Sequence, residues 1–168
     1  MEKAFVMIKP DGIKKELIGE IIKRILKKRL IITKIKKIRM APNQFKKLYP
    51  HVYTKYPKIL KALYSFLTKN DVIVMIVEGK NAIREVRKIR GPSNPAEAPK
   101  GTIRGDFAKD QDMRKLYKKG KITLNILHSA DDKKQAKYEI NIFFKGEKIW
   151  NQTSFIQNQH GFTYREIL

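Results

Sequence analysis

Residues 72–77 read VIVMIV, an unbroken apolar run rich in β-branched side chains. A strand with one wet face alternates apolar and polar residues, whereas a run without polar breaks marks a strand covered on both faces, so a central strand is predicted here. Upstream, AFVMI at 4–8 forms a second apolar run that stops at KPDG and suits a buried strand ending at a turn. Between the two, apolar side chains recur at Ile13, Leu17, Ile21 and Ile25, with Ile18, Ile22 and Leu26 on the flanking row. That spacing predicts an amphipathic helix over 13–29. Ile31, Thr33 and Ile35 alternate within a further strand. The stretch from Pro42 to Pro57 should hold short helical pieces, and 58–68 reads as a helix with Ile59, Leu63, Phe66 and Leu67 on one side.

Downstream of the central run, a helix over about 81–90 stops at Gly91-Pro92. GPSNPAEAPKGTIRGD at 91–106 is too rich in Gly and Pro for regular structure and reads as a long ordered loop, a kind of segment that is usually functional or disordered. ITLNILH at 122–128 suits a fourth strand, and Asp131 can cap a helix carrying Ala136, Ile140 and Phe143 inward. The order β-α-β-α-β-α-β-α indicates an α/β or α+β sandwich. The favoured arrangement is α+β and ferredoxin-like, a split βαβ four-stranded antiparallel sheet covered by helices in one domain.

The 168 residues suffice for one core without staples, and with no cysteine there is neither a disulfide framework nor a thiolate nucleophile. A secretory segment needs an apolar stretch of about 7–15 residues and a spanning helix roughly 18 or more; neither is seen, so a soluble, cytoplasmic protein without a membrane partner is expected. The formal charge of +22 favours anionic partners such as nucleic acid or phosphorylated small molecules. The lysines, however, run from Lys14 to Lys148 rather than forming one basic arm, so charge alone identifies no activity.

Neither G-x-x-x-x-G-K-[ST] nor G-x-G-x-x-G occurs, so a phosphate would need charged side chains as its cradle. Lys9 after the first strand, Arg87 on the helix before the long loop and Arg104 within that loop are the candidates. His128 is the candidate nucleophile: it ends an apolar strand and precedes a helix N-terminus, where backbone N–H groups favour phosphate. One ring nitrogen can attack phosphorus only if the other keeps its proton, and Glu139 on the following helix could supply the acceptor that fixes this tautomer. By composition alone such a histidine is more often a satisfied, half-buried one. His51 and His160 have no comparable surroundings.

KPDG at 9–12, GPSNPAEAPKGTIRGDF at 91–107 and NILHSAD at 125–131 resemble, in order, the signature segments of nucleoside diphosphate kinases. The resemblance runs with interruptions from about residue 3 to 145, which implies a kinase-like domain over 1–145 and a C-terminal extension over 146–168. It implies that His128 takes the γ-phosphate of a nucleoside triphosphate and hands it to a diphosphate in ping-pong fashion. Lys9 would contact phosphate and the ribose region; Arg87, Arg104 and Ser93, which stands where the family usually has threonine, would hold phosphates. Asn125 would bond the sugar 3′-hydroxyl and Glu139 would orient His128. Mg2+ would arrive on the nucleotide with few or no protein ligands, and the assembly would be a hexamer or a tetramer.

The chain departs from the family pattern in several places. Ala130 replaces the serine two places after the histidine that helps hold the glutamate. Ile59 and Leu60 stand where the family has a base-stacking phenylalanine, so an aliphatic clamp of Ile59 with Leu63 would take that role. The supporting tyrosine is Tyr49 or, given the local spacing, Tyr53. Residues 108–124 form a longer segment than usual, similar to archaeal forms. The alternative function is a basic nucleic-acid-binding protein on a kinase-like fold with weak or lost activity.

Overall fold

A computed structural model describes residues 1–146 of the chain. Strand β1 (Glu2–Ile8) is paired antiparallel on one side by β3 (Asp71–Gly79) and on the other by β4 (Leu127–Ser129), while β2 (Ile31–Arg39) pairs antiparallel with β3, giving the order β2-β3-β1-β4. β1 and β2 therefore run parallel with β3 inserted between them, the split βαβ arrangement expected from the sequence. The run 72–77 lies within β3 and is buried throughout, as is 4–8 in β1. Both are inner strands, and both faces of each are covered.

Helices cover this sheet in two groups. α2 (Ile18–Lys27) packs with α6 (Ala82–Arg90), which also meets α7 (Ile103–Phe107). α3 (Pro42–Leu48) packs with α5 (Pro57–Thr68) and α9 (Lys133–Phe144), and α4 (Pro50–Lys55) joins the latter group through α5. Phe5 of β1 stacks on Phe143 of α9 with centroids 5.1 Å apart, which ties α9 to the middle of the sheet. The prolines at positions 42, 50 and 57 each begin a helix, because a ring-fixed φ suits the first turn and the missing N–H is no loss there.

Several expectations need correction. The single helix over 13–29 is two, α1 (Pro10–Lys14) and α2, because Glu16 takes a left-handed φ of 58° between them; Leu26 is left exposed on α2. The stretch 91–106 is not free of regular structure: it holds a 3-10 turn at Pro95–Glu97 and most of α7, whose N-terminus is capped by the Thr102 hydroxyl accepting from the Gly105 N–H at 3.0 Å. The fourth strand is confined to Leu127–Ser129, and Asp132, not Asp131, caps α9 by accepting from the Gln135 N–H at 2.8 Å. The longer segment 108–124 contains a further short helix, α8 (Met113–Lys118). Of the expected extension over 146–168, all but Gly146 lies outside the described residues.

Candidate active site

The strand β4 is short because the chain turns tightly just before it. Leu127 N–H donates to the Asn125 carbonyl at 2.7 Å across Ile126, whose φ is +67°, so residues 125–127 form a γ-turn in its strained, positive-φ form. A β-branched residue in this region costs about 1–3 kcal/mol and persists only where its surroundings over-determine it. Here they do. Ile126 N–H donates to Asp11 Oδ2 at 2.8 Å, and Lys9 N–H donates to the Ile126 carbonyl at 2.8 Å. Arg104 brackets the turn, with Nε donating to the Asn125 carbonyl at 3.2 Å and Nη2 to the Leu127 carbonyl at 2.6 Å. Gly12 must be glycine for this contact: a Cβ there would stand 2.9 Å from Cγ2 of both Ile126 and Ile8. The turn fixes Asn125, whose Oδ1 accepts from Lys9 Nζ at 2.7 Å.

One residue beyond the turn, His128 is the middle residue of β4, paired with Met7. Its side chain is 17% exposed, and Nε2 lies 3.0 Å from each carboxylate oxygen of Glu139, itself 2% exposed. A carboxylate can only accept here, so Nε2 carries the proton and the neutral ring keeps its lone pair on Nδ1. Glu139 is held in turn by Gln135, which donates from Nε2 to Oε1 at 2.8 Å and accepts the Asp131 N–H at 3.0 Å. Gln135 thus does what Ala130, a buried methyl, cannot. The Tyr49 ring packs 5.8 Å from the His128 ring, whereas Tyr53 is exposed and meets the edge of Phe45. The Tyr49 hydroxyl is buried without a partner among the described residues, and burial, with the Glu139 charge beside it, pushes its pKa up. It stays a proton donor.

Cations gather on the same side. Lys9, Arg90 and Arg104 are all buried, with Asp11 as the buried anion beside them. Burial, abetted by the charges of Arg104 and Arg90 and opposed by Asp11, lowers the Lys9 ammonium to about 8. Burial and the neighbouring Arg90 likewise lower Arg104 to about 9. Arg104 Nη1 also donates to the carbonyls of Pro92 at 2.7 Å and Gly91 at 3.3 Å, so this side chain frames the site more than it offers a free fork. Arg87 is half exposed and pairs with Asp131. A buried excess of positive charge is costly and is relieved by an anion.

Of the residues singled out from sequence, His128, Glu139, Lys9, Asn125, Tyr49 and Arg104 are brought together by these contacts and by the charge coupling of Lys9 and Tyr49 to Arg104. Arg87 joins through Asp131, and Ser93 is exposed on the turn that follows Gly91. Ile59 and Leu63 lie on the inward face of α5, 1% and 6% exposed, and are part of the core. Sequence reading missed Arg90, Asp11 and Gln135. The position of Gln135, four residues before Glu139 and hence one helical turn away, was the available signal.

Among the described residues no group of three or more His, Cys, Asp or Glu is placed to hold a metal ion. The two buried acids are engaged, Asp11 with the γ-turn and Glu139 with His128. With a cationic donor set, a divalent ion fits here as a passenger on phosphate oxygens rather than as a resident of the protein.

A family model described as nucleoside diphosphate kinase matches residues 2–149. A nucleoside diphosphate kinase of Methanocaldococcus jannaschii is 40% identical over 151 residues, covering 90% of this chain and 99% of the relative. One of Archaeoglobus fulgidus is 39% identical over 151 residues, covering 90% and 91%. Among solved structures, the nucleoside-diphosphate kinase of Borrelia burgdorferi, a transition-state mimic with bound vanadate and ADP, matches with a TM-score of 0.81 at 31% identity, covering 89% of this chain and 90% of that one. An NDP kinase of Pyrobaculum aerophilum matches with a TM-score of 0.77 at 26% identity, covering 88% and 98%.

Proposed function

The chain belongs to the nucleoside diphosphate kinase family, and from that premise we propose that it moves the γ-phosphoryl group of a nucleoside triphosphate, typically ATP, to a nucleoside diphosphate through phosphorylated His128. The observation that carries the proposal is the double contact of Glu139 with His128 Nε2, which leaves Nδ1 as the nucleophile. In the first half-reaction the Nδ1 lone pair forms the N–P bond as the bond from the γ-phosphorus to the β–γ bridging oxygen breaks, and that electron pair leaves with the diphosphate. The imidazolium that forms is stabilised by Glu139. The second half-reaction reverses these steps with a different diphosphate.

Positioning and charge do the rest, as in phosphoryl transfer generally. Lys9, Arg87, Arg104 and Ser93 hold the phosphates, Arg104 as a fixed charge rather than a free fork, and Tyr49 supports His128, while Asn125, already bonded to Lys9, takes the sugar hydroxyl. Mg2+ bound to the phosphates would spread the charge that builds on the leaving oxygens. Because phosphate and sugar carry no base identity, weak base discrimination is expected. A homo-oligomer, hexamer ahead of tetramer, belongs to the proposal: β2 is a nine-residue edge strand with Ile31, Ile32, Ile35 and Ile38 half-buried, the kind of edge a second copy covers. Among the described residues no helix is long and apolar enough to cross a membrane; we place the protein in the cytoplasm with its proposed substrates.

Mixing the protein with Mg2+ and γ-labelled ATP should give an acid-labile, base-stable label that chases onto added diphosphates. Label retained by His128→Ala, or none on the wild type, would count against the proposal.

A further inference from the structure

Arg87 and Arg90, on the last turn of α6, reach the same atom. Arg87 Nε lies 3.2 Å and Arg90 Nη2 3.0 Å from Oδ1 of Asp131. Their surroundings differ: the Arg87 side chain is 50% exposed and that of Arg90 8%. Arg90 is tied to backbone on both sides, with Nη1 donating to the Ser129 carbonyl at 2.8 Å and Nε to the Gly91 carbonyl at 3.3 Å. Among the described residues the polar partner of Arg87 is Asp131 alone, through the carboxylate and through its carbonyl at 3.3 Å.

An arginine that is to grip a phosphate thus rests on a carboxylate. Guanidinium forks suit both anions, so the exchange of one for the other is chemically direct. What opposes it is the carboxylate left behind. Asp131 lies three residues after the nucleophile in a site whose buried charges are mainly positive, and Arg90 cannot follow Arg87 outward without leaving the Ser129 and Gly91 carbonyls. We propose that Arg90 is a positioning residue that keeps Asp131 in place and neutralised, so that Arg87 can exchange the Asp131 carboxylate for nucleotide phosphate when substrate binds. This rests on the kinase reading above. Asp131 is then a placeholder anion, and Arg90 sets how firmly it competes.

Steady-state transfer kinetics on the full chain test this with Asp131→Asn, Arg90→Leu, Arg90→Lys and the double variant, each checked by thermal melting. Exposed ion pairs are weak, so the effects are small. Asp131→Asn should lower the nucleotide KM about 2- to 5-fold with kcat within about twofold, because Arg87 starts free. Arg90→Leu should raise KM several-fold with kcat held, since the carboxylate then leans on Arg87 alone. Arg90→Lys should lie near wild type, and the double variant should return to the KM of Asp131→Asn. A double variant no better than Arg90→Leu, or an Arg90→Leu protein that loses kcat at constant KM, would overturn the proposal. If Arg90→Leu does not fold, the sign of the Asp131→Asn effect decides, and an unchanged or raised KM overturns it. A wild type that transfers no phosphate overturns the kinase reading, whereas an active wild type with this pattern missing overturns only the placeholder.

Discussion

Both carboxylate oxygens of Glu139 stand 3.0 Å from Nε2 of His128, and the carboxylate is almost wholly buried. A symmetric contact of this kind fixes the ring's tautomer and its direction together. Replacing Glu139 by Gln keeps an acceptor but removes the charge that stabilises the imidazolium. Hydrogen bonds to charged groups contribute about 1.5–3 kcal/mol, so kcat should fall by about 10- to 100-fold while KM changes little. Pre-steady-state phosphorylation of the variant checks this; a kcat within twofold of wild type would remove Glu139 from the mechanism.

Gln135 holds that carboxylate where the family's usual serine is replaced by Ala130. Gln135→Ala should lower kcat less than the Glu139 change, by about 3- to 10-fold, because it removes one hydrogen bond to the carboxylate but leaves the carboxylate's charge against His128. Adding Ala130→Ser to Gln135→Ala should recover part of the loss. No recovery, with the fold intact by melting, would mean that the serine position and Gln135 are not interchangeable supports.

Lys9 gives the reaction a pH signature. Its ammonium, lowered by burial to about 8, loses its charge above that pH and then no longer attracts phosphate. The alkaline limb of kcat/KM should therefore have its midpoint near 8 and be lost in Lys9→Met. Stability has the opposite sign. Between about 8 and 10.5 the unfolded chain binds a proton at this lysine that the folded chain does not, so this group makes the fold more stable as pH rises. Lys9→Met should accordingly gain stability over wild type at neutral pH and lose that advantage by pH about 10; urea titrations at both pH values measure it.

Much of this was readable before the coordinates, and what was not has particular causes. VIVMIV and AFVMI located the inner strands because burial on both faces leaves no polar residue to interrupt the run. Ile126 could not be read: its side chain prefers a strand, and only Asp11, Lys9 and Arg104, distant in sequence, hold it at positive φ. That turn is why the expected strand over 122–128 shrinks to its end. Arg90 sits in RKIR, where an arginine reads as solvated, and its burial depends on carbonyls of Ser129 and Gly91 that α6 alone does not reveal. For Ile59 and Leu63 the apolar periodicity of α5 makes helix packing legible, and both are buried in the core.

The burial of Leu63 has its own consequence. Leu63→Ala should cost about 2–5 kcal/mol of unfolding free energy, as a truncation in a packed core does, and leave the nucleotide KM nearly unchanged. Denaturant midpoints and KM values on one preparation decide it. A raised KM without lost stability would return Leu63 to the nucleotide site.

The nitrogen that carries the phosphoryl group is the most direct measurement. NMR of the 15N-histidine-labelled protein, trapped after reaction with Mg2+ and ATP, distinguishes the two ring positions through their couplings to phosphorus. Phosphorus on Nδ1 of His128, with Nε2 still protonated against Glu139, is the expected result; phosphorus on Nε2, or on any other residue, contradicts it.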